Sequence, residues 1–185
     1  LLLSLLISRG VPMLLMGDEI GRSQGGNNNS WCQNNFLGWM NWDHSKQDLE
    51  LLNYLKYVIK IRKKLINIFN PSLLTNIQNH DNLFRYHWHG IKLDSPDWSS
   101  WSHTIAFSIN KGATDPMVWI GLNAYSKSID FQIPKCKYNW LKVIDTSISD
   151  IFEPITVNEQ SIQIESRSSI LIISKELFDE VNDLM

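Results

Sequence analysis

Gly10-Val11-Pro12-Met13-Leu14-Leu15-Met16-Gly17-Asp18-Glu19 is the stretch on which the fold reading turns. An apolar segment ends abruptly at two adjacent carboxylates. Gly21-Arg22-Ser23-Gln24-Gly25-Gly26-Asn27-Asn28-Asn29 follows, a loop of glycines and amides with one arginine. Residues 11–16 are apolar on both faces, which predicts a parallel barrel strand delivering polar groups to an active-site rim.

Working outward, residues 1–8 read as the end of a helix that Arg9-Gly10 stops, with Gly10 suited to a left-handed C-terminal position. Residues 17–43 form a long irregular loop, and connections of that length in a compact domain are usually functional or disordered. Trp31, Phe36, Leu37, Trp39, Met40 and Trp42 supply apolar area that argues against disorder. Residues 48–66 give the clearest helix. Leu51, Leu52, Leu55, Val58, Ile59 and Leu65 recur at three- and four-residue spacings and form one apolar stripe. Ser45 or Asp48 is placed to cap its start, and Lys60, Arg62, Lys63 and Lys64 read as its solvated C-terminal end, matched to the dipole. Asn70-Pro71-Ser72 marks a domain boundary.

Beyond residue 82 the pattern changes. Segments 83–88, 103–109, 117–123, 129–133, 140–145, 162–164 and 169–173 are short, rich in β-branched or aromatic residues, and separated by turn-forming residues. They predict seven strands of an antiparallel sandwich. Phe131 with Ile133, and Ile162 with Ile164, show the alternation that buries one sheet face. Residues 176–184 predict a short terminal helix. The fold class is therefore α/β plus all-β. Residues 1–75 read as the last strand and helix of a (β/α)8 TIM barrel, and 76–185 as an antiparallel β-sandwich C-terminal domain.

Composition narrows the function. The net charge of −2 gives no electrostatic pull toward nucleic acid or an anionic membrane. The apolar run at residues 1–6 is too short and too soon interrupted to span a bilayer, and it lacks the flanks of a signal peptide. Cys32 and Cys136, far apart in sequence, fit a reducing cytoplasmic setting better than a disulfide framework. His44, His80, His87, His89 and His103 lack the company that a metal site needs. Neither a metal nor a cofactor is expected.

Four places carry a resemblance to the debranching, isoamylase-type branch of the α-amylase family. Residues 10–19 are similar to the family's eighth-strand segment. Gln24-Gly25-Gly26-Asn27-Asn28-Asn29, with Trp31-Cys32-Gln33 and Trp39-Met40-Asn41-Trp42, resembles the debranching branch in particular. Trp88-His89-Gly90 with Pro96-Asp97-Trp98-Ser99 resembles the start of its C-terminal domain. Leu122-Asn123-Ala124-Tyr125, with Phe131, Pro134 and residues 140–146, resembles its later strands. Two departures stand out: Asn34 occupies a position where this branch usually carries an aspartate, and residues 69–81 match poorly and look shortened.

The resemblance implies hydrolysis of α-1,6 branch linkages in a branched α-glucan such as glycogen, a limit dextrin or starch, by a retaining two-carboxylate mechanism. The nucleophile, the acid and a third aspartate of that family follow strands four, five and seven. They are thus expected upstream of Leu1, so no residue of this chain is assigned a catalytic role and the chain alone is expected to be inactive. The setting it implies is cytoplasmic, or the plastid stroma in a eukaryote.

The candidate substrate-binding residues are Asp18, Glu19, Arg22, Gln24, Asn28, Trp31 and Gln33. Asp18 and Glu19 point opposite ways along an extended strand, and so cannot form an acid–nucleophile pair, which needs about 5 Å between carboxyls across a sugar. They either serve the cleft or anchor the loop through an ion pair, as with Arg22. Gln24, Asn28 and Gln33, with Asn27 and Asn29, offer the paired donors and acceptors that sugar hydroxyls use; the alternative is backbone capping. Of the tryptophans, Trp88, Trp119 and Trp140 lie in strand patterns and are expected in the core, whereas Trp31, in the loop, is the best stacking candidate. Two other functions compete: a non-catalytic glucan-binding or regulatory subunit, motivated by Asn34, and an α-1,4-acting amylase or glucanotransferase, against which the Gln24–Asn29 loop argues. Fold alone cannot separate them.

Overall fold

The computed structural model describes residues 1–69, 84–112, 115–148 and 153–183. They fall into two compact units, Leu1–Lys63 and Lys64–Met185. The expected boundary at Asn70-Pro71-Ser72, and the 75/76 division with it, lies outside the described residues.

The first unit holds α1 (Leu2–Ile7), a 3-10 turn (Asp18–Ile20) and α2 (Lys46–Lys64). Its helix start is chemically explicit. The Asp48 N–H donates to Ser45 Oγ at 3.2 Å while the Ser45 N–H donates to Asp48 Oδ2 at 2.8 Å. Each residue thus satisfies the other's orphan donor, as in a capping box. These bonds, the Ser45 backbone N–H foremost, hold the Asp48 carboxyl below its ordinary pKa. Leu55, Val58 and Ile61 are the buried stripe of α2.

Two expectations fail in this unit. Residues 11–16 carry no strand pairing, and Val11 and Met13 are 93% and 86% exposed. A parallel barrel strand exists only between hydrogen-bonded neighbours on either side, and the described residues offer it none; the apolar pattern is present but its partners are not. The described residues accordingly do not show the (β/α)8 remnant. Nor is Arg62 solvated: it is buried, and its guanidinium donates to the carbonyls of Leu6, Ser8 and Gly10. Those groups lie at and just beyond the end of α1, where helix carbonyls lack intrahelical donors. Arg62 is thus spent on the end of one helix from its place on another.

The second unit begins with a single turn, α3 (Ile66–Phe69). Eight strands follow: β1 (Phe84–His89), β2 (Thr104–Lys111), β3 (Asp115–Asn123), β4 (Ile129–Gln132), β5 (Trp140–Asp145), β6 (Ile155–Val157), β7 (Ser161–Ile164) and β8 (Ser168–Ser174). Helix α4 (Lys175–Asp183) closes it. An antiparallel six-stranded sheet runs β1-β2-β3-β8-β5-β6, and β4 pairs with β7 in a second sheet. Seven strands match the sequence pattern closely. The eighth, β6, was not expected: three residues on a sheet edge are too few to show a period.

Register explains the packing. Trp119 lies opposite Ser108 on β2 and Ile172 on β8. That face of the large sheet contributes Ala106, Trp119, Ile170, Ile172 and Trp140 to one core, and the small sheet contributes Phe131, Ile162 and Ile164. The other face carries Phe107, Ile109, Val118, Ile120, Leu171 and Ile173, all buried. The central strands therefore read as unbroken apolar runs rather than alternations. Gly121 is small for a packing reason: a Cβ there would run into Ile164 and the six-membered ring of Trp119.

Trp119 and Trp140 are in the core as expected, but Trp88 is 44% exposed. It stands on the edge strand β1, which has no second strand neighbour among the described residues, and its ring packs on Phe107 at 5.2 Å and Trp98 at 5.4 Å between ring centroids. Its sequence neighbour His89 is the buried one. The Asp94 N–H donates to His89 Nδ1 at 3.0 Å, so Nε2 carries the proton and donates to Ser108 Oγ at 3.1 Å. Gly90 allows this turn, because a Cβ there would strike the Ser95 carbonyl. Burial lowers the His89 pKa from its ordinary value of 6.5; the Asp94 carboxylate works against that and His87 adds to it. A depressed histidine stabilises the fold above the unfolded-state pKa and loses that contribution as pH falls through the folded-state value. The denaturant midpoint of this unit is therefore expected to fall between pH 7 and pH 5, and to fall less in His89→Gln. Equal slopes in the two proteins would remove His89 as the cause.

Candidate functional site

Loop 17–43 is built from short-range hydrogen bonds rather than from regular structure. Gly17 and Gly21 have φ of 107° and 66°, and the turn between them closes through Ile20 N–H to Gly17 O and Gly21 N–H to Asp18 O. These left-handed positions favour glycine. Because 18–20 coils into a 3-10 turn instead of extending a strand, both carboxylates fold back on the chain. The Leu15 N–H donates to Asp18 Oδ2 at 3.2 Å, and the Gly17 N–H to Glu19 Oε2 at 2.7 Å.

Arg22 pairs with neither carboxylate. Its Nη2 donates to the carbonyls of Leu37 and Gly38, both at 3.0 Å, and its side chain runs across Gly17. The loop anchor foreseen as an ion pair is thus an arginine clamp on backbone carbonyls. It ties the start of the loop to a point 15 residues on.

Four of the six asparagines of the loop cap backbone. Asn27 Oδ1 accepts from Asn29 N–H, Asn29 Oδ1 from Trp31 N–H, Asn35 Oδ1 from Leu37 N–H and Asn41 Oδ1 from Asp43 N–H, all at 3.0 Å. This is the short-side-chain turn chemistry of Asn. Gln33 Oε1 accepts from Asn27 Nδ2 at 2.8 Å. Gln24 contributes its carbonyl to the Asn27 N–H, and Asn28 is exposed.

The loop leaves an open cleft of about 450 Å³ lined by Ser30, Trp31, Cys32, Gln33, Asn34, Gly38 and Trp39. That volume falls within the roughly 300–1,000 Å³ typical of ligand pockets. Of the seven candidate residues, Trp31 and Gln33 line it. Asp18, Glu19, Arg22, Gln24 and Asn28 do not. Asn34 and Trp39 do, and they were not among the candidates. Trp39 Nε1–H donates to Asn34 Oδ1 at 3.0 Å, a contact five residues apart that no helical or strand period announces. Among the described residues no three His, Cys, Asp or Glu side chains group as metal ligands.

The antiparallel two-sheet domain is consistent with the C-terminal β-sandwich of debranching enzymes. The fold is similar to that of pullulanase type I from Bacillus subtilis, solved with maltose: TM-score 0.67 and 16% identity over 94% of this chain and 22% of that one. Pullulanase from Anoxybacillus, solved with maltotetraose, gives 0.64 over 93% and 22%. The chain belongs to the isoamylase family, whose profile "Isoamylase 1-3, C-terminal" matches residues 87–185. It is 32% identical to isoamylase 1, chloroplastic, of rice over 77% of this chain, and 33% identical to the glycogen debranching enzyme of Dickeya chrysanthemi over 73%. It spans 17% and 19% of those two relatives' lengths.

Proposed function

We propose that this chain is the C-terminal portion of a debranching hydrolase that cleaves α-1,6 linkages of a branched α-glucan by a retaining mechanism. Residues 1–75 then close the (β/α)8 barrel, residues 76–185 form the sandwich, and the catalytic carboxylates belong to upstream barrel strands. The observation that carries this reading is the unpaired segment 11–16. Its alternate residues Val11, Met13 and Leu15 are exposed, and exposed apolar area contiguous along a strand-like run marks a surface made to be covered. Neighbouring barrel strands supply that cover. The relatives named isoamylase and glycogen debranching enzyme, and the maltose and maltotetraose held by the pullulanases, support the substrate class.

In that enzyme the two carboxylates nearest the rim in this chain do structural work. Asp18 and Glu19 hold the turn, and Arg22 ties the loop to the Leu37 and Gly38 carbonyls. Sugar contact falls to the uncharged lining residues.

The test is product analysis with the full-length protein on glycogen and on linear amylose. Linear chains released from glycogen, with amylose untouched, are the expected result. Shortened amylose would assign the enzyme to α-1,4 chemistry. Binding without turnover would favour a glucan-binding subunit.

A further inference from the structure

Two indoles border the cleft of loop 17–43, and they are held differently. Trp31 is fixed through its backbone N–H to Asn29, and the residue is 89% exposed. Trp39 is fixed at the ring. Its Nε1–H donates to Asn34 Oδ1 at 3.0 Å, while its backbone N–H donates to the Asn35 carbonyl at 3.2 Å. An indole N–H only donates, so the atom facing it on Asn34 is the oxygen. The Asn34 Nδ2 keeps its donors uncommitted among the described residues. Trp39 therefore has its one polar atom satisfied within the loop and still remains 59% exposed. What it presents outward is ring.

The rest of the lining defines what such a ring faces. Ser30, Gln33 and Asn34 are polar and uncharged, and no lining residue carries a formal charge. An ionic ligand would find no counter-charge, and a purely apolar one would strand the amides. A neutral molecule with an apolar face and a hydroxyl rim meets both requirements, and a pyranose is such a molecule.

We infer that Trp39 is a stacking wall for a neutral α-glucan segment in this cleft, and that Asn34 is the positioning residue that fixes its indole. This rests on the glucan-debranching reading above and adds two residues to it. It also gives Asn34 a physical role. Where the resembling family usually carries an aspartate, the amide keeps the acceptor that Trp39 needs, removes a charge from the cleft and adds a donor.

Cys32 supplies the reporter. It lines the cleft and is exposed, whereas the Cys136 thiol is half-buried, hydrogen-bonded to the Pro116 carbonyl at 3.7 Å and raised in pKa by burial. Iodoacetamide should therefore label Cys32 first. In the full-length protein, with labelling followed peptide by peptide, maltotetraose is expected to slow Cys32 labelling and leave the Cys136 rate unchanged. Trp39→Ala and Asn34→Ala should each raise the half-protecting concentration about tenfold, the scale of one lost contact. Asn34→Asp should stay within about threefold, because its carboxylate still accepts from the indole. The Trp39 indole resonance in the proton–nitrogen spectrum should move in Asn34→Ala and hold in Asn34→Asp, with the sandwich resonances unchanged as the check on folding.

Unaltered protection in Asn34→Ala would overturn the positioning role. Lost protection with an unmoved Trp39 resonance would make Asn34 a direct ligand instead. No protection of Cys32 in the full-length parent protein at any maltotetraose concentration would overturn the sugar assignment of the cleft, and the debranching assay on the same protein would stand or fall separately.

Discussion

Trp119→Ala is expected to cost the sandwich about 3–5 kcal/mol, the range for removing a large aromatic from a packed core. Trp119 is fully buried at the middle of β3. Its ring meets Phe131 of the small sheet edge-on, with centroids 6.3 Å apart and an interplanar angle of 72°, a geometry favoured by the ring quadrupoles. It also fills the space over Gly121. A β4–β7 pair has little stability alone, so removing the ring that it packs on should loosen that pair before the six-stranded sheet. Amide exchange should accelerate most at residues 129–132 and 161–164. Trp119→Phe should cost clearly less than alanine. It keeps most of the area and removes an indole N–H that is buried with no acceptor. Urea denaturation followed by near-ultraviolet dichroism measures both. A loss under about 1 kcal/mol for alanine would mean that the two sheets do not depend on this ring.

Asn123→Ala is expected to cost about 3 kcal/mol, on the scale of several buried polar groups left without partners. Asn123 ends β3, is buried, and reaches across to the turn that leaves β7. Its Nδ2 donates to the carbonyls of Lys127 at 2.9 Å, Ile164 at 3.1 Å and Glu165 at 3.0 Å, and its Oδ1 accepts from Tyr125 N–H at 2.9 Å. Two hydrogens serve three carbonyls, so the bonds are shared. Alanine removes this partner from all four backbone groups, of which the Glu165 carbonyl still accepts from the Ser168 hydroxyl at 2.7 Å. Asn123→Asp keeps the acceptor for Tyr125 but sets a carboxylate against three carbonyls. That variant should be the less stable of the two at pH 7 and recover part of the loss near pH 4, where the protonated acid can donate once. A variant insensitive to pH across that range would remove the carbonyl cluster as the cause.

Asn123 also shows where sequence reading stops. Leu122-Asn123-Ala124-Tyr125 is conspicuous as a string of residues and resembles a family pattern, yet nothing in the string says that the amide holds residues 41 and 42 positions away. Trp88-His89-Gly90 is similar. The tryptophan reads as core, but the edge position of β1 exposes it, and the Asp94 turn buries the histidine beside it instead. Arg62 sits in a basic run and reads as solvated, until the end of α1 turns out to need its donors. In each case the deciding partner lies outside any window of local periodicity.

The sequence by itself determined what depends on local chemistry: seven of the strands, the Ser45–Asp48 helix start, the Leu55 and Val58 part of the apolar stripe of α2, and the family through its glycine- and asparagine-rich loop. Side-chain period and turn residues are written in consecutive positions, so they survive without a fold. Only the tertiary structure decided which face of each strand is covered, that Asp18 and Glu19 bond to backbone, and that Trp39 is pinned by Asn34. Segment 11–16, a strand by composition, has no strand partner among the described residues. A strand is completed by hydrogen bonds to its neighbours and a buried polar group by a partner distant in the chain, and both are supplied by the fold.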